Sequence, residues 1–376
     1  MPQPSRVVLI ALGALVVLGI AGGRADAYPQ FQMSRDQTCT ACHLSPAGGG
    51  LLNENGLATA ETISQFGTAP EFFYKKVPTP DWLTLGGDVR FAGGYVQSPE
   101  KLLAFFPMQI EAYGDAKLGA GLSLYVDLGA RAAQYGNEAA THAWSREHFL
   151  MWQQNPDTNE GLYLRVGRFM PVFGLRLAEH PTYVRQFGGT PLYGETYGAA
   201  VEYIDKQFEA HVTGFIKDPI IDTPEHSNGA AALAEYRVTE QLSVGGEFMF
   251  TKSDDDKKYR AGLLAKLDVP AIDTLFEFEG QFMNELIEPR GAPKQLVMSL
   301  IATKFVAPAY MLDVGLNFFD ENVQITGLHR EALDVNLHWF ATSHLEALFT
   351  GRVETLDFGK GGPSAGYALI QGHYRL

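Results

Sequence analysis

The sequence predicts an all-β transmembrane β-barrel of about sixteen antiparallel strands, preceded by a small N-terminal segment of loops and one helix. Three observations carry this. From Trp82 onward apolar and polar residues alternate with period two. The connections between the alternating stretches are short and long in rotation. The last stretch runs to the final residue, Leu376.

Residues 1–27 have the plan of a secretory signal peptide. Arg6 supplies a positive start, Val7 to Ile20 an apolar run, and Ala25-Asp26-Ala27 a small-x-small cleavage site. The run is too short to span a bilayer comfortably. No long apolar run follows, so no transmembrane helix is expected. The mature chain then begins at Tyr28. A formal net charge of −14 argues against a basic nucleic-acid-binding face.

Residues 28–80 form a separate unit. The chain has 2 cysteines, both within Cys39-Thr40-Ala41-Cys42-His43. This is C-x-x-C-H, the attachment pattern of a c-type haem. Two thiols at this spacing each add to one vinyl group of a porphyrin, and the adjacent imidazole becomes the proximal iron ligand. A thioredoxin-like pair would need a βαβ context, which is missing. A zinc site would need a second Cys/His pair at ligand spacing. A disulfide here would close too tight a loop to be a useful staple. One covalently attached haem c is therefore expected, held by Cys39 and Cys42, with His43 as axial ligand.

The sixth ligand is open. Met33, six residues upstream of Cys39, is the nearest thioether and a candidate. Met249, Met283, Met311, His211, His338 and His373 face the barrel interior by strand parity. A methionine would raise the reduction potential relative to a second histidine. A five-coordinate iron would suit peroxidase-like or gas-binding chemistry.

Leu44 to Gly50 is a loop by composition, and residues 51–66 read as a short helix region. Leu52, Leu57, Ile63 and Phe66 are available to pack on a porphyrin face or on protein. Val77-Pro78-Thr79-Pro80 is a stiff linker and sets the domain boundary. So short a segment buries little core of its own. Shielding for a porphyrin must come from the rest of the chain, residues 81–376.

There the strands read as 82–97, 102–117, 121–135, 141–154, 161–168, 196–205, 207–217 and 229–239. They continue as 241–252, 257–268, 273–286, 294–306, 309–320, 329–341, 344–356 and 364–376. Phe276, Phe278 and Phe282 interleave with Glu277, Glu279 and Gln281. Leu333, Val335, Leu337 and Trp339 interleave with Asp334, Asn336 and His338. One apolar and one polar face place these strands between two solvents. The alternation is weakest over 82–117 and 141–154, leaving fourteen or eighteen strands as alternatives. Short turns near 117–121, 205–207, 239–241, 269–273, 306–309 and 341–344 rotate with longer polar loops. That is the porin-like pattern of short periplasmic turns and long extracellular loops. A Greek-key sandwich has no reason to show it. A barrel this wide encloses an aqueous lumen, into whose periplasmic mouth the N-terminal segment can dock as a plug.

The loop Phe169–Glu195 is the longest and carries Arg176, Glu179, His180 and Arg185. Long loops without secondary structure tend to be functional. This one either constricts the lumen or covers the outer mouth. Asp254-Asp255-Asp256 belongs to an outer loop. Glu277, Glu279, Asp313 and Asp334 face the lumen by parity. Such carboxylates attract cations such as Fe²⁺, although porin lumens are polar in any case.

Cys39–His43 followed by Pro46, Leu52-Asn53, Gly56 and Phe66 resembles the outer-membrane monohaem cytochrome c–porin fusions, which include bacterial outer-membrane iron oxidases. The detailed likeness covers about thirty residues around the attachment pattern of a c-type haem; the barrel matches in plan alone. Gly48-Gly49-Gly50 stretches the family's spacing. The resemblance implies an outer-membrane protein that moves electrons between an extracellular donor or acceptor, Fe(II) among the possibilities, and a periplasmic c-type cytochrome or other carrier. Outer-membrane lipid is then the surrounding medium, and a homo-oligomer is compatible with the plan. Two other functions fit the residues: a passive porin with a structural or sensory haem, and a haem peroxidase-like enzyme.

Overall fold

In the computed structural model the residues described are 33, 38–97, 101–131, 142–179, 181–192, 194–219, 227–253, 256–287, 292–356 and 364–376. The proposed signal peptide, His180, Asp254 and Asp255 lie outside them. The strands are β1 (Leu83–Gln97), β2 (Lys101–Gly119), β3 (Leu122–Arg131), β4 (His142–Trp144), β5 (His148–Gln153) and β6 (Gly161–Phe169). Next come β7 (Thr196–Ile204), β8 (Phe208–Ile216), β9 (Asn228–Arg237), β10 (Leu242–Lys252), β11 (Asp256–Val269) and β12 (Thr274–Ile287). The last are β13 (Lys294–Ala307), β14 (Tyr310–Asp320), β15 (His329–Thr342), β16 (Leu345–Leu356) and β17 (Ser364–Arg375). Among the described residues, two α-helices accompany them, α1 (Glu54–Ile63) and α2 (Tyr183–Gln186).

Every neighbouring pair is antiparallel, and β1 pairs with both β2 and β17, so the sheet closes on itself. Strands β4 and β5 both pair with β3. They are halves of one barrel strand, which makes sixteen in the wall, the number the alternation predicts. The expected strand 141–154 is interrupted because Asp127 takes over its ladder. The Asp127 carboxylate accepts from the backbone N–H of Arg146 at 2.6 Å and of Glu147 at 2.9 Å. The far end of the expected 121–135 strand lies outside the described residues.

The two faces separate as the parity requires. Phe278 and Phe282 are exposed on the outside, while Glu277, Glu279 and Gln281 are buried inside. Leu103, Phe105, Leu128, Leu263 and Val353 extend the exposed apolar surface around the barrel. An apolar exterior of this extent is a lipid-facing band. Several of the inward charges are paired. Arg165 donates to both Glu202 oxygens, at 2.9 and 2.7 Å, and Lys266 donates to both Glu235 oxygens, at 2.9 and 2.7 Å. A longer chain crosses five adjoining strands. His373 bonds Asp88 at 2.5 Å and Glu346 at 3.2 Å; His338 bonds Glu346 at 2.7 Å and Asp313 at 2.9 Å.

Residues 38–63 pack within the end of the barrel that carries the short turns, while residues 75–80 are exposed. Thr40 donates to the Asn159 carbonyl at 2.6 Å, beside the turn entering β6. Beyond α1, the N–H groups of Gln65 and Phe66 bond the carbonyls of Phe340 and Ala341 at 2.8 and 3.0 Å. His344 bonds the Ala69 carbonyl at 2.7 Å. Ile63 packs with Phe305, Ala309, Met311 and Phe340, and Leu51 with Tyr113, Tyr125 and Phe149. The segment's missing core is thus supplied by the barrel wall.

The loop after β6 closes in from the opposite rim. Val172, Leu175, Tyr183 and Val184 are buried against the inward residues Leu233, Leu264, Met283 and Val297. Of the two placements open in the sequence, this is the constriction. Its backbone is pinned to the wall. Leu175 N–H donates to Glu279 at 2.7 Å, Tyr183 N–H to Asn317 at 3.0 Å, and Arg352 to the Pro181 carbonyl at 2.6 Å.

Candidate functional site

A cavity of about 630 Å³ lies between the docked segment and the inward loop. That is within the range of small-molecule and cofactor sites. Cys39, Cys42 and His43 all line it. So do Leu52, Leu57 and Ile63 from the helix region. Phe66 does not; the chain has left α1 by then to pair with the rim, and its ring is exposed.

The motif's geometry is built by its neighbours. Cys39–Ala41 forms a single 3-10 turn. The chain then runs through the loop of Gly48, Gly49 and Gly50 at φ of 81°, 72° and 58° and returns, so that His43 and Leu52 bridge antiparallel. Only glycine adopts three such angles in succession without strain. The return places α1 directly against the motif. Asn53 caps α1 by accepting from Gly56 N–H at 3.0 Å, and its amide donates to the Thr40 carbonyl at 2.9 Å. Asn55 donates to the Ala41 carbonyl at 3.0 Å and to the Cys42 sulfur at 3.6 Å. A Cβ on Gly56 would stand 2.3 Å from the Cys42 carbonyl oxygen. These contacts explain why Asn53 and Gly56 accompany the motif.

The residues fit a covalently held haem. Both cysteines are thiols rather than a disulfide. His43 Nδ1 lies 3.0 Å from the Gly49 carbonyl oxygen. A carbonyl only accepts, so Nδ1 carries the proton and donates, leaving the Nε2 lone pair available as a ligand. Burial holds this imidazole neutral, lowering its pKa to about 4, and burial pushes the Cys39 thiol up to about 11. The cavity wall also carries Arg90, whose buried Nε has no hydrogen-bond partner among the described residues. That orphaned donor suits an acidic substituent such as a porphyrin propionate.

Arg176 and Arg185 both line the cavity. Arg176 forms an ion pair with Glu209 at the start of β8, so the loop reaches almost to the short-turn end. It holds a left-handed φ of 55°, a strained conformation of the kind that clusters at functional sites. Arg185 donates to the carbonyls of Leu177 at 2.6 Å, Ala178 at 3.1 Å and Thr190 at 3.3 Å, which fixes the loop's fold. Met33 is buried but is not one of the residues lining the cavity.

The strand residues that parity placed inside are inside: Met249, Met283, Met311, His211, His338 and His373 are all buried. None lines the cavity. The three histidines each have a carboxylate on both ring nitrogens. Glu279, Asp313 and Asp334 are likewise held in hydrogen bonds to Leu175, His338 and Asn317. No group of three or more metal-ligating side chains occurs among the described residues. Sequence reasoning missed Arg90, Tyr125, Glu195 and Met170 of the cavity wall, because parity alone assigns a side without saying which inward residues surround one space.

No protein-family model and no curated protein matches the chain. Its fold is similar to that of several solved outer-membrane proteins. OmpT of Vibrio cholerae aligns with a TM-score of 0.58 at 13% identity, over 80% of this chain and 100% of that one. The anion-selective porin from Comamonas acidovorans aligns with a TM-score of 0.60 at 13% identity, over 78% and 99%. OmpF of Salmonella typhi, in complex with daunomycin, aligns with a TM-score of 0.61 at 10% identity, over 78% and 97%. The architecture is a porin-type barrel.

Proposed function

We propose that this chain is an outer-membrane c-type cytochrome built into a porin-type barrel, carrying electrons between the extracellular side and periplasmic carriers. The observation that carries it is one arrangement. Cys39, Cys42 and an imidazole with a free Nε2 lone pair face one cavity inside a membrane-type barrel. When bound, haem c would supply one-electron Fe(II)/Fe(III) chemistry.

The chain's own residues do the rest. Cys39 and Cys42 tether the group, His43 ligates it, and the Gly49 carbonyl fixes the His43 ring. The segment borders the cavity from the short-turn end and the loop around Arg176 from the other, so one redox site would lie between the two rims. Extracellular donors, Fe(II) among them, and a periplasmic cytochrome are the partners this reading requires.

The test is expression with the native signal sequence in a host that matures c-type cytochromes, followed by pyridine haemochrome assay and protein-film voltammetry. One covalent haem per chain, lost in Cys39→Ser with Cys42→Ser, and a reversible one-electron wave are expected. A chain that reaches the outer membrane without covalent haem overturns the proposal. The similarity to porin folds favours a second reading, passive solute passage. Liposome swelling by purified protein whose haem is electrochemically silent would establish that one instead.

A further inference from the structure

We propose that Met170 is the sixth ligand of the iron. This rests on the haem reading above and concerns its unassigned axial position.

Such a ligand must share the cavity with His43 and must offer a lone pair that no stronger partner holds. Among the described residues that line the cavity, two besides His43 carry an imidazole or a thioether: His344 and Met170. His344 has both ring nitrogens against backbone carbonyls, Arg375 at 2.7 Å and Ala69 at 2.7 Å. The first ties the ring to β17 and the second helps dock the N-terminal segment on the rim, so both nitrogens are already engaged. Met170 has a neutral, soft sulfur with no such duty. It stands at the end of β6, where the loop leaves the wall, next to Gly194; a Cβ there would lie 3.4 Å from its sulfur.

The setting is built for a fixed position. The Met170 N–H donates to Glu147 at 3.1 Å. Phe169, just before it, is fully buried and meets Phe149 edge-on at 5.9 Å. Pro171, Val172, Phe173 and Leu175 continue the same wall of the cavity. The loop therefore gives the cavity an apolar stretch with a single thioether, and the N-terminal segment gives the same cavity the imidazole. Methionine in an apolar run is ordinarily filler; the cavity shared with His43 is what distinguishes this one.

The test is the optical and electrochemical signature of intact protein purified with its haem. Wild type should show the thioether-to-ferric-iron charge-transfer band. Met170→Leu, which conserves volume, should lose the band and lower the midpoint potential. Met170→His should give a bis-imidazole spectrum at a still lower potential. Met33→Leu should leave band and potential unchanged. Covalent haem whose band survives Met170→Leu, or disappears in Met33→Leu, overturns this assignment and leaves the haem reading intact. Absence of covalent haem from wild type overturns both.

Discussion

Gly56→Ala tests how the C-x-x-C-H motif is held. The new Cβ would stand 2.3 Å from the Cys42 carbonyl oxygen and 3.1 Å from both the Cys42 carbonyl carbon and Leu52 Cβ. These are backbone and a short side chain, so neither swings away. Helix α1 has to retreat from the motif by roughly 1 Å, which overpacking series associate with a cost of about 1–3 kcal/mol. Retreat also stretches the Asn53 and Asn55 amide bonds to Thr40 and Ala41, each contributing about 1 kcal/mol. Alanine's helix propensity returns about 1 kcal/mol. The balance is a local destabilisation of about 2 kcal/mol, or about a 30-fold rise in opening of residues 38–66. Hydrogen exchange on the apo barrel in detergent reads this directly. Gly67→Ala is the control, since its nearest contact would be an ordinary 3.9 Å from Glu61. Equal exchange in the two variants would refute the close-packing argument.

Three other outcomes follow from the barrel interior and its two closures. Glu202→Leu leaves Arg165 buried without its carboxylate, which should cost about 3–5 kcal/mol in urea unfolding from micelles, with Arg165→Met on the same chain restoring much of it. Glu179 in the inward loop has its pKa raised above 4.5, first by burial. A raised carboxylate pKa favours the docked loop at low pH and loses that contribution as pH rises through the raised value. Loop amides, corrected for intrinsic exchange, should therefore open more readily with rising pH, and Glu179→Gln should flatten the trend. Starting the mature chain at Asp81 removes the segment that fills the short-turn mouth. Single-channel conductance in planar bilayers should rise well above wild type, and an unchanged conductance would show that the loop alone sets the constriction.

The barrel was legible because a membrane wall enforces a binary code. Glu277 and Phe278 face opposite media, so neither tolerates a one-residue slip. Of the candidate site, the sequence made legible the close spacing of Cys39, Cys42 and His43, and the fold turns all three to one cavity. What lay beyond the sequence depends on register and long-range contact. Parity puts His338 and His373 inside, but only the pairing of β14 to β17 and β1 reveals that Glu346 lies between them. The dip of the 169–195 loop is decided by Leu175 meeting Glu279 and Arg176 meeting Glu209, partners far away in sequence. The same dip sets Met170 on the wall of the space that His43 faces.

The carboxylate–imidazole chain from Asp88 to Asp313 also bears on how the cylinder is completed. It crosses the join between the first and last strands, where Asp88 of β1 meets His373 of β17. A chain still lacking its final strand would hold Asp88 without the His373 imidazole that links it to Glu346, leaving each buried carboxylate one hydrogen-bond partner short. Insertion of β17 settles both at once. The seam therefore rewards only the finished ring, and a truncated or misregistered last strand forfeits these buried side-chain hydrogen bonds as well as ladder bonds.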